Sequence, residues 1–282
     1  MWLPETEKVL NIISQEDRIK DYVFVGGSAL SFYLNHRLSE DIDLASPNEF
    51  LARDEHIDKI MNNIFKKGFN VEESVESSAH SASKRIFYVN DVKVEFWASI
   101  ENEFLTTEKT ALKNNLNIAN LDTLIGMKTA VIHRREVIRD YYDIYVITKE
   151  FGLDKAIKEA NRLYNKKVDG REYFKFDETD FFKYAVDLKG VESESVNPEL
   201  APKYKVNKEQ IESFLREEIK KYTINKFYRV EKELSQNKPE NNPSVKQEHD
   251  LKTKPESQSP TPDAFTKDLQ NRLGNGRGGW GR

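Results

Sequence analysis

Cysteine is absent from the chain. That removes disulfides, thiolate nucleophiles and cysteine-ligated zinc from consideration, and it suits a reducing compartment. Long apolar runs are missing too: none approaches the roughly 20 residues a helix needs to cross a bilayer, so no membrane partner is expected. The opening MWLPETEKVLNII carries acidic residues and lacks the basic-then-apolar order of a secretory signal. A cytoplasmic protein is the expectation. Nor is charge of one sign in excess, because 44 basic against 48 acidic residues leave a net charge of −4. Bulk electrostatics therefore do not advertise nucleic-acid binding, although local basic patches are compatible with it. His36, His80 and His133 show no metal-ligand spacing and read as structural or surface residues. No internal repeat stands out.

What is present is a soluble globular balance, 38% hydrophobic and 33% charged over 282 residues. Such a length suits one large or two smaller domains with appendages. Pro4 to about Ser14 has helical apolar spacing behind an early proline. Tyr22 to Val25 reads as a strand ended by Gly26-Gly27, with Ser28 capping a helix to about Asn35. Asp41 to Ala45 reads as a second strand. Asn48 starts a helix reaching Lys67, with Gly68 as its stop. Arg85–Val89 and Val92–Trp97 flank a polar Asn90-Asp91 turn, a hairpin whose second arm points Val92, Val94 and Phe96 to one face and Lys93, Glu95 and Trp97 to the other. From about Leu121 the pattern is helical, with Asp154 placed to cap a third helix, and Lys208 to about Leu234 has amphipathic spacing. Beyond Ser235 the composition collapses to Asn, Pro, Ser, Gln, Lys and Glu, too little apolar surface to offset chain entropy. The expected architecture is α+β: a mixed-sheet domain over residues 1–105, a helical domain over 106–235 that closes a cleft, and a disordered tail over 236–282.

The most informative stretch is YVFVGGSALSFYLNHRLSEDIDLAS. A strand alternates faces, so Asp41 and Asp43 project together while Ile42 and Leu44 point into the core. Two like charges so close destabilise a fold unless a cation lies between them. Magnesium is the expected ion, with manganese as its substitute, because a hard cation takes carboxylate oxygens and substrate phosphates together. Gly26 and Gly27 leave backbone amides open to phosphate oxygens, and the helix N-terminus at Ser28 favours anions. Lys128 lies within an apolar run, Leu124 to Ile132, where a lysine is unexpected unless paired. Asp140 and Asp143 share a helical face and can pair with nearby cations.

Gly26-Gly27-Ser28-Ala29-Leu30, then Arg37-Leu38-Ser39-Glu40-Asp41-Ile42-Asp43-Leu44, then Lys128, then Arg139-Asp140-Tyr141-Tyr142-Asp143-Ile144-Tyr145 together resemble the AbiEii toxin family, a branch of the polymerase-beta-type nucleotidyltransferases. The resemblance covers roughly residues 20 to 160. It implies a toxin of a bacterial toxin–antitoxin or phage-defence system that transfers a nucleotide from an NTP to an acceptor, releasing pyrophosphate. The acceptor it suggests is the 3′ end of tRNA, and the partner an antitoxin. It implies metal ligation by Asp41 and Asp43, and by a third carboxylate, Glu95, that also serves as general base. Glu95 stands where relatives more often carry Asp. Lys128 then holds a phosphate, Arg37 and Arg139 are phosphate or supporting ligands, and Asp143 orients the nucleotide, the attacking group or Lys128. Two rival readings stand beside this one. The same cleft can serve phosphoryl transfer or nucleotidylation of a protein, or it can be a non-catalytic nucleotide-binding regulatory module.

Overall fold

The computed structural model describes residues 2–48, 55–75, 84–132, 137–165, 175–188 and 199–236. The expected tail over 236–282, beyond Gln236 itself, lies outside these, as do His80, His133 and the start of the helix expected from Asn48. The chain divides into two compact units, Met1–Leu215 and Arg216–Arg282. The described part of the second is helical and ends at Gln236.

In chain order the helices are α1 Pro4–Ser14, α2 Gly26–Leu34, α3 Glu55–Lys66, α4 Leu121–Val131, α5 Ile138–Phe151, α6 Leu153–Tyr164, α7 Glu178–Ala185 and α8 Lys208–Gln236. The strands are β1 Val23–Val25, β2 Ile42–Ser46, β3 Val71–Glu73, β4 Lys84–Val89, β5 Val92–Ala98, β6 Lys109–Lys113 and β7 Leu116–Ala119. All seven form one sheet in the order β3-β4-β5-β2-β1-β7-β6. It is mixed: β1 pairs antiparallel with β2 and parallel with β7, and β2 pairs parallel with β5. The sheet continues past residue 105, since β6 and β7 complete one side of it.

The alternation on β5 is what the hairpin pattern required. Val92, Val94, Phe96 and Ala98 are buried, and Lys93, Glu95 and Trp97 between them are partly open. Tyr22 meets Phe96 edge to face at 5.1 Å between ring centres in the core beneath. The helices bury their apolar stripes at helical spacing: Val9 and Ile13 on α1, Ile57, Ile60, Met61 and Ile64 on α3, and Leu153, Ala156, Ile157, Ala160 and Leu163 on α6. Each fully buried side chain of this size contributes about 1.5–3 kcal/mol of transfer free energy. The sheet is therefore a stiff platform, and β1, β2 and β5 at its centre carry the groups of interest.

Two local expectations are corrected. Helix α2 begins at Gly26, not after Ser28, because Val25 is still extended while Gly26 takes φ +77° and turns the chain directly into the helix. Ser28 consequently lies inside the first turn and caps nothing. Helix α6 likewise begins at Leu153 after Gly152, which places Asp154 in its first turn instead of at its cap.

Candidate active site

Asp43 stands on β2 opposite Val25 of β1 on one side and Glu95 of β5 on the other. The turn after β1 is moulded to it. A Cβ added at Gly26 would overlap Asp43 Oδ2, and one added at Gly27 would overlap the Arg37 guanidinium. Both glycines are thus required by close approach, and the first also by its left-handed φ. Gly26, Gly27, Asp43, Glu95 and Lys128 line a single cavity of about 160 Å³, together with Val25, Trp97, Leu124, Met127, Val131 and Tyr164. The first five were singled out in the sequence. Trp97 and Tyr164 were not, although Trp97 is two residues beyond Glu95 and so on its face of β5.

Asp43 is crowded by its own sign of charge. Burial, then the Glu95 and Asp41 carboxylates, push its carboxyl from the ordinary 3.8 to about 6. Asp41 sits one residue before β2, about a third exposed, with its Oδ2 3.8 Å from Arg139 Nη1. Ser28 Oγ donates to the Asp41 carbonyl and lies 2.7 Å from Ser39 Oγ, so this buried hydroxyl fixes the backbone that carries the Asp-x-Asp pair. Glu95 is held from both sides, Oε1 by Lys84 at 2.9 Å and Oε2 by Lys93 at 3.2 Å. Burial alone would lower the Lys93 ammonium, but Glu95 and Asp41 together raise it above its usual range.

A second cluster lies behind the cavity, and its charges balance. Asp143 is fully buried and accepts from Arg37 Nε at 2.7 Å and Nη2 at 3.0 Å, a two-pronged pair. It also meets His36 Nε2 at 2.6 Å and Lys128 Nζ at 2.9 Å. Lys128 donates in turn to Asp140 Oδ1 at 2.6 Å. Burial pushes the Asp143 carboxyl up, but Arg37, Lys128 and His36 overcome it and hold the group well below the usual carboxylate range. Burial and Arg37 work against the Lys128 ammonium, but Asp140 and Asp143 outweigh them and hold it above its usual range. Burial, against the pull of Asp143, lowers the His36 pKa. A neutral imidazole facing an ionised carboxylate carries its proton on Nε2. His36 Nδ1 then remains without a hydrogen-bond partner among the described residues.

Of the sequence candidates, the structure brings Gly26, Gly27, Asp43, Glu95 and Lys128 to one cavity, with Asp143 directly behind Lys128. Arg37 is only 3% exposed and committed to Asp143, Leu38 O and Ser39 Oγ, and it is not among the cavity-lining groups. Arg139 is tied to the site through Asp41. His36, read from sequence as structural or surface, proves to be a direct partner of Asp143; its only sequence signal is adjacency to Arg37.

Residues 8–240 match the family described as the nucleotidyl transferase AbiEii toxin of type IV toxin–antitoxin systems. The chain belongs to the AbiEii family. An uncharacterised Aquifex aeolicus (strain VF5) protein, aq_aa25, is 25% identical over 211 residues, which cover 73% of this chain and 89% of that one. Among solved structures, a protein of H. pylori assigned as a nucleotidyltransferase is similar with a TM-score of 0.44 at 14% identity, over 76% of this chain and 91% of the other. MenT4, a nucleotidyltransferase toxin of Mycobacterium tuberculosis H37Rv, is similar with a TM-score of 0.47 at 14% identity, over 77% and 84%. By its family membership, this AbiEii protein is a nucleotidyl-transfer enzyme of the toxin type. Among its described residues no helix is long and apolar enough to cross a membrane.

Nucleotidyltransferases of this kind generally use divalent metals. Among the described residues no three carboxylate or imidazole groups already converge on one point as a closed cage. The donor chemistry nonetheless fits a hard cation at the open end of the AbiEii cavity. Asp43 has no described cation within ion-pair reach, and burial first, then the Glu95 and Asp41 charges, raises its pKa.

Proposed function

We propose that this AbiEii protein transfers a nucleotide from an NTP to an RNA hydroxyl, with tRNA 3′ ends the first candidate acceptor, in a reaction dependent on magnesium or manganese. The observation that carries the reading is the register of Asp43 beside Glu95 at the floor of the cavity that Gly26, Gly27 and Lys128 also line. The acceptor oxygen attacks the α-phosphorus and forms the new P–O bond. The bond to the β-phosphate oxygen breaks, pyrophosphate leaves, and the hydroxyl proton passes to a base. A divalent ion held by Asp41 and Asp43 would neutralise the charge that develops on the phosphates.

The chain's own groups supply the remainder. The first 105 residues contribute the turn and the carboxylates, and the segment that follows contributes the lysine. Backbone amides at Gly26 and Gly27, at the start of α2, bind phosphate oxygens. Lys128 acts on the triphosphate as a fixed point charge, already charged and already aimed by Asp140 and Asp143. Asp143 acts through Lys128 as a positioning residue, and Arg37 and His36 position Asp143. Arg139 reaches a phosphate from beside Asp41. Glu95 accepts the acceptor's proton or adds a ligand oxygen once Lys84 or Lys93 releases it. The reaction takes place in the cytoplasm, where NTP and RNA meet, and a cognate antitoxin protein restrains it.

The test is to incubate the protein with each labelled NTP, magnesium and total RNA, following pyrophosphate and label. Labelled RNA with one pyrophosphate per nucleotide added is expected. No pyrophosphate with any of the four NTPs would leave a nucleotide-binding regulatory module as the better reading, and label on protein would redirect the acceptor. The hold of Lys84 and Lys93 on Glu95 is the observation that keeps the non-catalytic reading in view.

A further inference from the structure

One wall of the cavity is largely apolar. Leu124, Met127, Lys128 and Val131 follow one another at i, i+3, i+4 and i+7, so a single face of α4 offers three apolar side chains beside the lysine. The same cavity is also lined by Trp97 from β5 and by Tyr164, the last residue of α6. Both aromatic residues are only half-buried, although each is large enough to reward full burial. The Tyr164 ring is braced edge to face by Phe104 at 5.7 Å. The cavity of about 160 Å³ is open to solvent on one side, so a ligand longer than the cavity can lie partly outside it.

We infer that Trp97 and Tyr164, backed by Leu124, Met127 and Val131, bind the base of the incoming nucleoside triphosphate. This rests on the nucleotidyl-transfer reading and adds to it the residues that recognise the nucleoside. The polar floor and the aromatic wall belong to one continuous space. A ligand carrying phosphates at one end and a flat, π-rich ring at the other matches both, and stacking on a tryptophan face suits any base. The wall also explains the change of character along β5. Glu95 faces the reacting phosphates, and two residues further along the same face Trp97 meets the ring.

Inorganic tripolyphosphate, which has phosphates and no base, separates the two claims. Each NTP should quench wild-type tryptophan fluorescence saturably, and tripolyphosphate should displace the NTP with little quenching of its own. Trp97→Leu should lose the quench, raise the KM for NTP about tenfold, change kcat less, and bind tripolyphosphate as the wild type does. Trp97→Phe should restore most of the KM. Tyr164→Leu, on a different element, should raise the KM in the same direction, which preserves the test if Trp97→Leu folds poorly. Unchanged NTP affinity and KM in folded Trp97→Leu, or in Tyr164→Leu where the former does not fold, would overturn the base site and leave the transferase reading intact. A wild-type protein that binds no NTP and releases no pyrophosphate would remove both.

Discussion

The two charged clusters on either side of the cavity floor are opposites. Around Asp143, two buried carboxylates, Asp143 and Asp140, are matched by Arg37 and Lys128 beside a neutral His36, and the Asp143 pKa is held low. Around Asp43, Glu95 is paired with Lys84 and Lys93, and Asp41 lies near Arg139. Asp43 itself meets no described cation within ion-pair distance, and burial, then the Glu95 and Asp41 charges, raises its pKa to about 6. Folding has completed the first cluster and left the second unfinished. The balanced cluster is where the fold spends charge on rigidity, holding Lys128 in place. The unbalanced one stores electrostatic tension that a bound cation and its phosphates can relieve.

Breaking the balanced cluster should have the largest effect on stability. Asp143→Ala leaves Arg37 as an unmatched buried charge, while Lys128 keeps only Asp140, and a loss of about 3–5 kcal/mol in denaturant unfolding is expected. Because Asp143 titrates well below the ordinary range when folded, its contribution is present at neutral pH and is lost as pH falls through its folded pKa. A smaller loss, about 1–3 kcal/mol, should follow Gly26→Ala, which combines an unfavourable φ with overlap of Asp43, and nucleotidyl transfer should fall with it.

Asp43→Asn should separate the two regions most cleanly. Transfer is expected to drop at least about a hundredfold while the metal-free protein becomes more stable by about 1–2 kcal/mol at pH 7.5. The sign follows from the raised pKa. The folded state holds the Asp43 proton more tightly than the unfolded chain, so the penalty is absent below pH 3.8, grows up to about 6, and is full above that. Unfolding of wild type and variant at acid and neutral pH checks it. The smallest effect belongs to Asp140→Asn. Lys128 keeps Asp143 as a partner, and about 1 kcal/mol should be lost.

The chemistry of the unbalanced region was legible in the sequence because it is local. A glycine turn, an Asp-x-Asp pair and a period-two hairpin are each written within a short consecutive stretch. The balanced region was only half legible. That Lys128 needed a partner could be read from its apolar surroundings, but the burial of Arg37 depends on Asp143, 106 positions away, and His36 on the same residue. Strands β3, β6 and β7 were missed because Val71–Glu73, Lys109–Lys113 and Leu116–Ala119 are three to five residues long and show no sustained alternation. Pairing with longer neighbours, not their own composition, makes them strands. The grip of Lys84 on Glu95 likewise comes from strand pairing, which sets β4 beside β5, whereas Lys93 reaches Glu95 from two residues earlier on the same face of β5.

The contrast between the clusters reduces to the proton affinity of one side chain. Titrating the Asp43 carboxyl by carbon NMR, with Asp43→Asn to assign the signal, measures it without reference to activity. A midpoint near 6 in metal-free protein, falling below 4 when magnesium is added, is the predicted result. A midpoint at or below 3.8 without metal, unmoved by magnesium, would contradict it.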